Sequence, residues 1–185
     1  MNQMRKIPPQ IKSKDAEQPL VQASMRDPQS PFLTVTNYRG FEFDRLCLVA
    51  QHAIQEGRVY EKEVSGRVRK GYNHYNPDGT TGGFVELSAS ISYSVIVESG
   101  AMVLDYPRVF VYARVGGNSI VSGQAKVHGN AILDGNSLVT DTAEVCGDAR
   151  ITNSKITGES KIHGNARIVN TEVHNRQIGS GVIKL

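Results

Sequence analysis

The chain has no tryptophan, and its aromatics make up only 6% of 185 residues. A core built around large rings is excluded, so any interior must be made of small aliphatics. The two cysteines, Cys47 and Cys146, permit one bridge at most, which excludes a disulfide-stapled scaffold. No apolar run is long enough to cross a bilayer as a helix, and no secretory signal pattern is present. A soluble cytoplasmic protein without a membrane partner is the expectation. Acidic excess is missing too, because 21 Lys and Arg stand against 18 Asp and Glu, a net charge of +3. That is the wrong sign for a DNA mimic and too small a charge to favour nucleic acid as a partner.

What the chain does have is period six. An aliphatic recurs without a break at Val85, Ile91, Val97, Val103, Val109, Val115, Val121, Val127, Leu133, Val139, Val145 and Ile151. Four places after most of them stands a small residue, such as Ala89, Ala101, Ala113, Ala125, Ala131 or Ala149. A strand alternates faces, so both positions point inward if the strand is short and the chain then turns. Gly117, Gly123, Gly129, Gly135 and Gly147 fall two places after an aliphatic, where a corner needs unusual dihedrals or a close backbone approach. Each hexad is therefore one strand and one corner, and repeated corners wind the chain into a parallel β-helix.

After Ile151 two steps shorten to five residues, Ile151 to Ile156 and Ile168 to Val173. They begin seventeen residues apart, which is one coil of six, six and five residues. Both shortened corners then lie on one edge of a three-sided prism. Counting from that edge gives about five coils, beginning Val85/Ile91/Val97, with a partial coil from Val173 to about Ile183. The interior is too narrow for a cavity, so ligands must bind outside it.

The runs Val121-Ser-Gly-Gln-Ala-Lys, Val127-His-Gly-Asn-Ala-Ile and Val145-Cys-Gly-Asp-Ala-Arg resemble the hexapeptide repeats of the trimeric acyltransferase superfamily. The likeness covers roughly residues 85 to 178. It implies an all-β fold, a left-handed parallel β-helix of triangular section. Glycine one place later than in the commonest hexad resembles a bacterial branch labelled only as transferases of unassigned substrate. The resemblance implies a trimer, a histidine general base, and acetyl-coenzyme A bound in the groove between neighbouring prisms.

Three regions are expected. Residues 1–31, with Pro8-Pro9 and no apolar pattern, read as a flexible arm. Residues 32–84 read as a small α+β cap, with a strand over 32–36, a short amphipathic helix from Phe43 or Asp44 to Gln55, and a polar hairpin beyond Gly57. Residues 85–185 form the β-helix, whose end coils need covering because they expose strand edges.

Candidate sites follow from stacking and composition. Arg67, Arg69, Lys70, Tyr72 and Tyr75 interleave basic and aromatic residues in a binding pattern, although a solvated hairpin would look the same. On the second face the residues after each inward aliphatic are Ser92, Phe110, His128, Cys146 and His163, one per coil. His128, Cys146 and His163 would form an outward column of types that bind zinc when they converge. An acyltransferase would draw its base from His128, His163 or His74. The long loop, asparagine-rich stretch and proline-containing end motif of such enzymes are absent, so no cofactor is expected. The reading that follows is a non-catalytic oligomer that binds another macromolecule, with a protein partner through the N-terminal module. The alternative is a coenzyme A-dependent acyltransferase acting on a sugar or amine. Phe110 and other apolar residues between inward positions point to self-association as a trimer or dimer.

Overall fold

The computed structural model of the chain describes residues 47–184, and the arm and strand expected over 1–36 lie outside the described residues. In chain order come helix α1 (Leu48–Gln55), a hairpin of β1 (Tyr60–Val64) and β2 (Arg67–Tyr75), strand β3 (Thr81–Glu86), and short strands from β4 (Ser90–Ile91) to β20 (Val182–Lys184). The strands build a parallel β-solenoid with three sheets as its faces. The first face stacks Val85, Val103, Val121, Val139, Ile156 and Val173. The second stacks Ile91, Val109, Val127, Val145, Ile162 and Ile178. The third stacks Val97, Val115, Leu133, Ile151, Ile168 and Ile183.

This is the register read from the sequence, and the partial coil expected from Val173 to about Ile183 is a full sixth coil. Val173, Ile178 and Ile183 follow one another at five-residue steps, as Val173 follows Ile168, so three successive corners at this end are shortened. Hexad spacing stops there while the winding continues, and β20 closes the stack against Arg167–Val169.

The corners explain the glycines. From Asp105 to Asn175, every residue two places after an inward aliphatic takes a positive φ. Glycine, asparagine and aspartate fill these positions, with one exception, Val111 at φ 64°. Stacking also forbids a side chain at some of them, since a Cβ on Gly117 would stand 2.5 Å from the carbonyl oxygen of Gly135.

The N-terminal module covers the first coil. β2 pairs antiparallel with β3, so the first face continues into the β1–β2 hairpin. Ser65 and Gly66, both at positive φ, make the two-residue turn that matches strand twist. Cys47 is extended and α1 begins only at Leu48, later than the apolar pattern suggests. The helix ends where Gly57, at φ 68°, lets its own N–H and that of Arg58 reach the carbonyls of Ile54 and Ala53. Val49, Ala50, Ala53 and Ile54 pack with Tyr72, Leu87 and Ala89 over the open end of the core. The expected boundary at 84/85 cuts through β3, which already rests on the first coil. A Cβ on Gly82 or Gly83 would come within 2.1 Å of the Val97 oxygen or 2.0 Å of the Ala101 oxygen. Among the described residues no helix is long and apolar enough to cross a membrane.

Candidate functional site

Strand alternation divides the basic and aromatic segment between two faces, and this removes several candidates from any common surface. Tyr72 is fully buried beneath α1. His74, expected on a loop, lies within β2 and is equally buried, with Nε2 donating to the Val95 carbonyl at 2.9 Å. It holds the cap to the first coil and cannot reach an external substrate. Arg69 bridges Glu86 and Asp105 at 2.5 and 2.8 Å, so its charge is neutralised within the fold. Arg67 and Lys70 remain exposed on the hairpin, and Tyr75 is exposed at the end of β2.

Burial lowers the pKa of His74 from its ordinary 6.5, only partly offset by the Val95 carbonyl. Its other nitrogen, Nδ1, has no hydrogen-bond partner, so protonation would bury an unpartnered N–H together with a charge. The unfolded chain accepts that proton near the ordinary pKa while the folded chain refuses it. Stability contributed by neutral His74 is therefore present above that pKa and lost as pH falls below it. In urea titrations at pH 7.5 and pH 5.5, we expect a larger drop in midpoint for the wild type than for His74→Gln, whose amide can still donate to Val95. Equal drops would remove His74 from the acid response.

Tyr75 belongs to a groove that the sequence did not announce. Val49 and His52 from α1, with Glu56 at its C-terminal cap, face Arg58, Tyr75 and Tyr93 around a cavity of about 660 Å³. Tyr93 bridges the helix and the solenoid, its hydroxyl lying 3.2 Å from His52 Nδ1 and 3.4 Å from the Leu48 carbonyl. His52 Nε2 lies 3.1 Å from Glu56, and Arg58 grips the same carboxylate and holds its pKa below the ordinary range.

Beside the groove runs the corner between the second and third faces. Along it, from the capped end, the residues two places after the inward aliphatic are Tyr93, Val111, Gly129, Gly147, Gly164 and Ser180. Glycine gives way to large apolar side chains only in the first two coils. Val111 there exposes 42% of its surface in a left-handed conformation, and the adjacent Tyr112 exposes 72%. For a β-branched residue that backbone costs about 1–2 kcal/mol.

The second face brings together a different cluster. The ring of Phe110 stacks on that of His128, with centroids 4.7 Å apart and planes 4° from parallel. His128 Nε2 reaches diagonally to Glu144 at 3.1 Å, and Lys161 Nζ holds the other carboxylate oxygen at 3.4 Å. Cys146 lies below His128, and the candidate ligand atoms of His128, Glu144 and Cys146 all lie within 4.8 Å of one another. Burial would raise the Glu144 pKa, but hydrogen bonds from His128 and Lys161 outweigh it and hold the carboxylate ionised. Burial, with Glu144 nearby, pushes the Cys146 thiol up.

His163 is not brought into this group. Its Nε2 sits 3.2 Å from Gln177 and its ring lies over Gly179, one coil further on. His128, Cys146 and His163 stand one per coil as the register requires, but the ligand atoms that come together are those of His128, Glu144 and Cys146, because a carboxylate one residue before the inward Val145 also points outward. The strand period carried that signal. His52 and Glu56, four apart at the end of the helix and its cap, were likewise available as a pair.

The fold and these sites define a three-sided parallel β-solenoid, capped at one end, with an aromatic edge groove and a half-buried His/Glu/Cys cluster. No protein-family model matches the chain, and neither a curated protein nor a solved structure does.

Proposed function

We propose that this is a non-catalytic, oligomeric binding protein that engages a partner protein through the aromatic edge at its capped end. The observation that supports this most is the substitution of Tyr93 and Val111 for glycine along one corner. At Val111 the chain accepts backbone strain and exposes apolar area, beside Tyr112, Tyr93, Tyr75 and a groove. Strain kept at an exposed position is characteristic of binding sites, and tyrosine supplies large contact area at low entropic cost. Self-association uses the outer side of the first face, where Met102, Ile120 and Leu138 line up half-buried. Phe110 lies on the second face, stacked on His128, and so outside that contact.

Val111→Gly separates the two demands on this corner. Relief of the left-handed valine should stabilise the fold by about 1 kcal/mol, raising Tm by roughly 2–4 °C. Affinity for a partner captured by the wild-type protein should fall at least about tenfold, more so when combined with Tyr112→Ser. A raised Tm with unchanged affinity would place the binding surface elsewhere.

A second reading is coenzyme A-dependent acyl transfer, drawn from the hexapeptide resemblance. His52, set in the groove between Tyr93 and Glu56, would replace His74 as the base. Titration with acetyl-coenzyme A distinguishes the two readings.

A further inference from the structure

The cluster on the second face has no role in partner binding at the capped edge, yet it is assembled from three types of metal ligand. Two adjacent coils build it. The pairing of Val127 with Val145 sets His128 above Cys146, and Glu144 flanks the same strand. Two of the three ligands are oriented by a neighbour, as metal ligands commonly are. Phe110 stacks flat on the imidazole and fixes its plane, while Lys161 engages Oε2 of Glu144 and leaves Oε1 toward Nε2 of His128. All three side chains are only partly exposed, so their rotamers are restrained while solvent can still reach the site.

We propose that His128, Glu144 and Cys146 bind one divalent transition-metal ion of the zinc class. Neutral imidazole, carboxylate and thiolate supply nitrogen, oxygen and sulfur donors, and their two negative charges match a dication. The ion takes the place of the proton between Nε2 and Oε1, the neutral imidazole then carrying its proton on Nδ1, and the thiol gives up its proton to solvent, so binding releases a proton. Water from the open side completes a tetrahedral set. Ligand atoms within 4.8 Å of one another need only small side-chain rotations to converge on one ion. Neither His163 nor Cys47 takes part, Cys47 being buried under the cap with its thiol directed to the Ala89 carbonyl.

The test uses the full chain, stripped with chelator and titrated with zinc against a chromogenic chelator, and separately with cobalt. The expected result is one zinc per chain, and with cobalt a thiolate charge-transfer band together with tetrahedral ligand-field bands. Cys146→Ser should abolish the charge-transfer band and weaken zinc binding at least about tenfold. His128→Gln and Glu144→Gln should weaken zinc to a similar degree, while His163→Gln and His52→Gln should leave it unchanged. Circular dichroism melts verify that each variant stays folded. Absence of stoichiometric zinc in the wild type would overturn the proposal. Survival of the cobalt band in Cys146→Ser, or loss of zinc in His52→Gln, would overturn it equally.

Discussion

Leu133→Ala destabilises the solenoid by about 3 kcal/mol, within the 2–5 kcal/mol range of buried leucine truncations. Leu133 is fully buried, and it fills the prism on the third face between Val115 and Ile151. The surrounding backbone cannot collapse into the void, because hydrogen bonds clamp the coils on either side. Gly116 N–H donates to the Leu133 carbonyl at 2.8 Å, and Ile132 N–H donates to Ala149 at 2.9 Å. The cavity therefore stays open, and Tm should fall by roughly 6–12 °C. Ile132→Ala, one residue earlier and pointing outward, should cost under about 1 kcal/mol. Equal losses at the two positions in urea titrations would contradict the assignment of inward and outward sides.

Ala53→Asp at the cap is expected to be more damaging in consequence than in energy alone. Ala53 is fully buried where α1 meets Tyr72, Leu87 and Ala89. A carboxyl group there is both too large and unpartnered, costing several kcal/mol. The cost falls on the docking of the module rather than on the coils, since stability in a repeat stack is largely local. With α1 displaced, the end of the core and the edge of the first coil are uncovered. The expected outcome is concentration-dependent aggregation in light scattering, with strand signal in circular dichroism retained. A monodisperse, fully folded Ala53→Asp protein would show that the helix is not the cap.

The solenoid was legible because its period depends on the backbone more than on any side chain. Each corner needs a left-handed residue and each strand one inward aliphatic, so Gly123, Gly129 and Gly147 announced corners beside Val121, Val127 and Val145. The sixth coil was read only as partial, because Ile178 and Ile183 follow at five-residue steps and break the hexad. Outward columns were partly legible. Phe110 over His128 and His128 over Cys146 follow from register, whereas the diagonal approach of Glu144 depends on how the imidazole lies under Phe110. The groove was hidden for another reason. It joins His52 on a helix and Glu56 at that helix's C-terminal cap to Tyr93 about forty residues later, and the burial of Tyr72 and His74 depends on how that helix docks. Periodicity within the repeat carries no information about a contact of that kind.

The most direct test of the binding-protein reading is calorimetric titration of purified, metal-analysed protein with acetyl-coenzyme A. No saturable heat is expected, for the wild type or for His52→Ala. Saturable binding near one equivalent per chain, lost in His52→Ala, would contradict the reading and make the edge groove an acyl-transfer site.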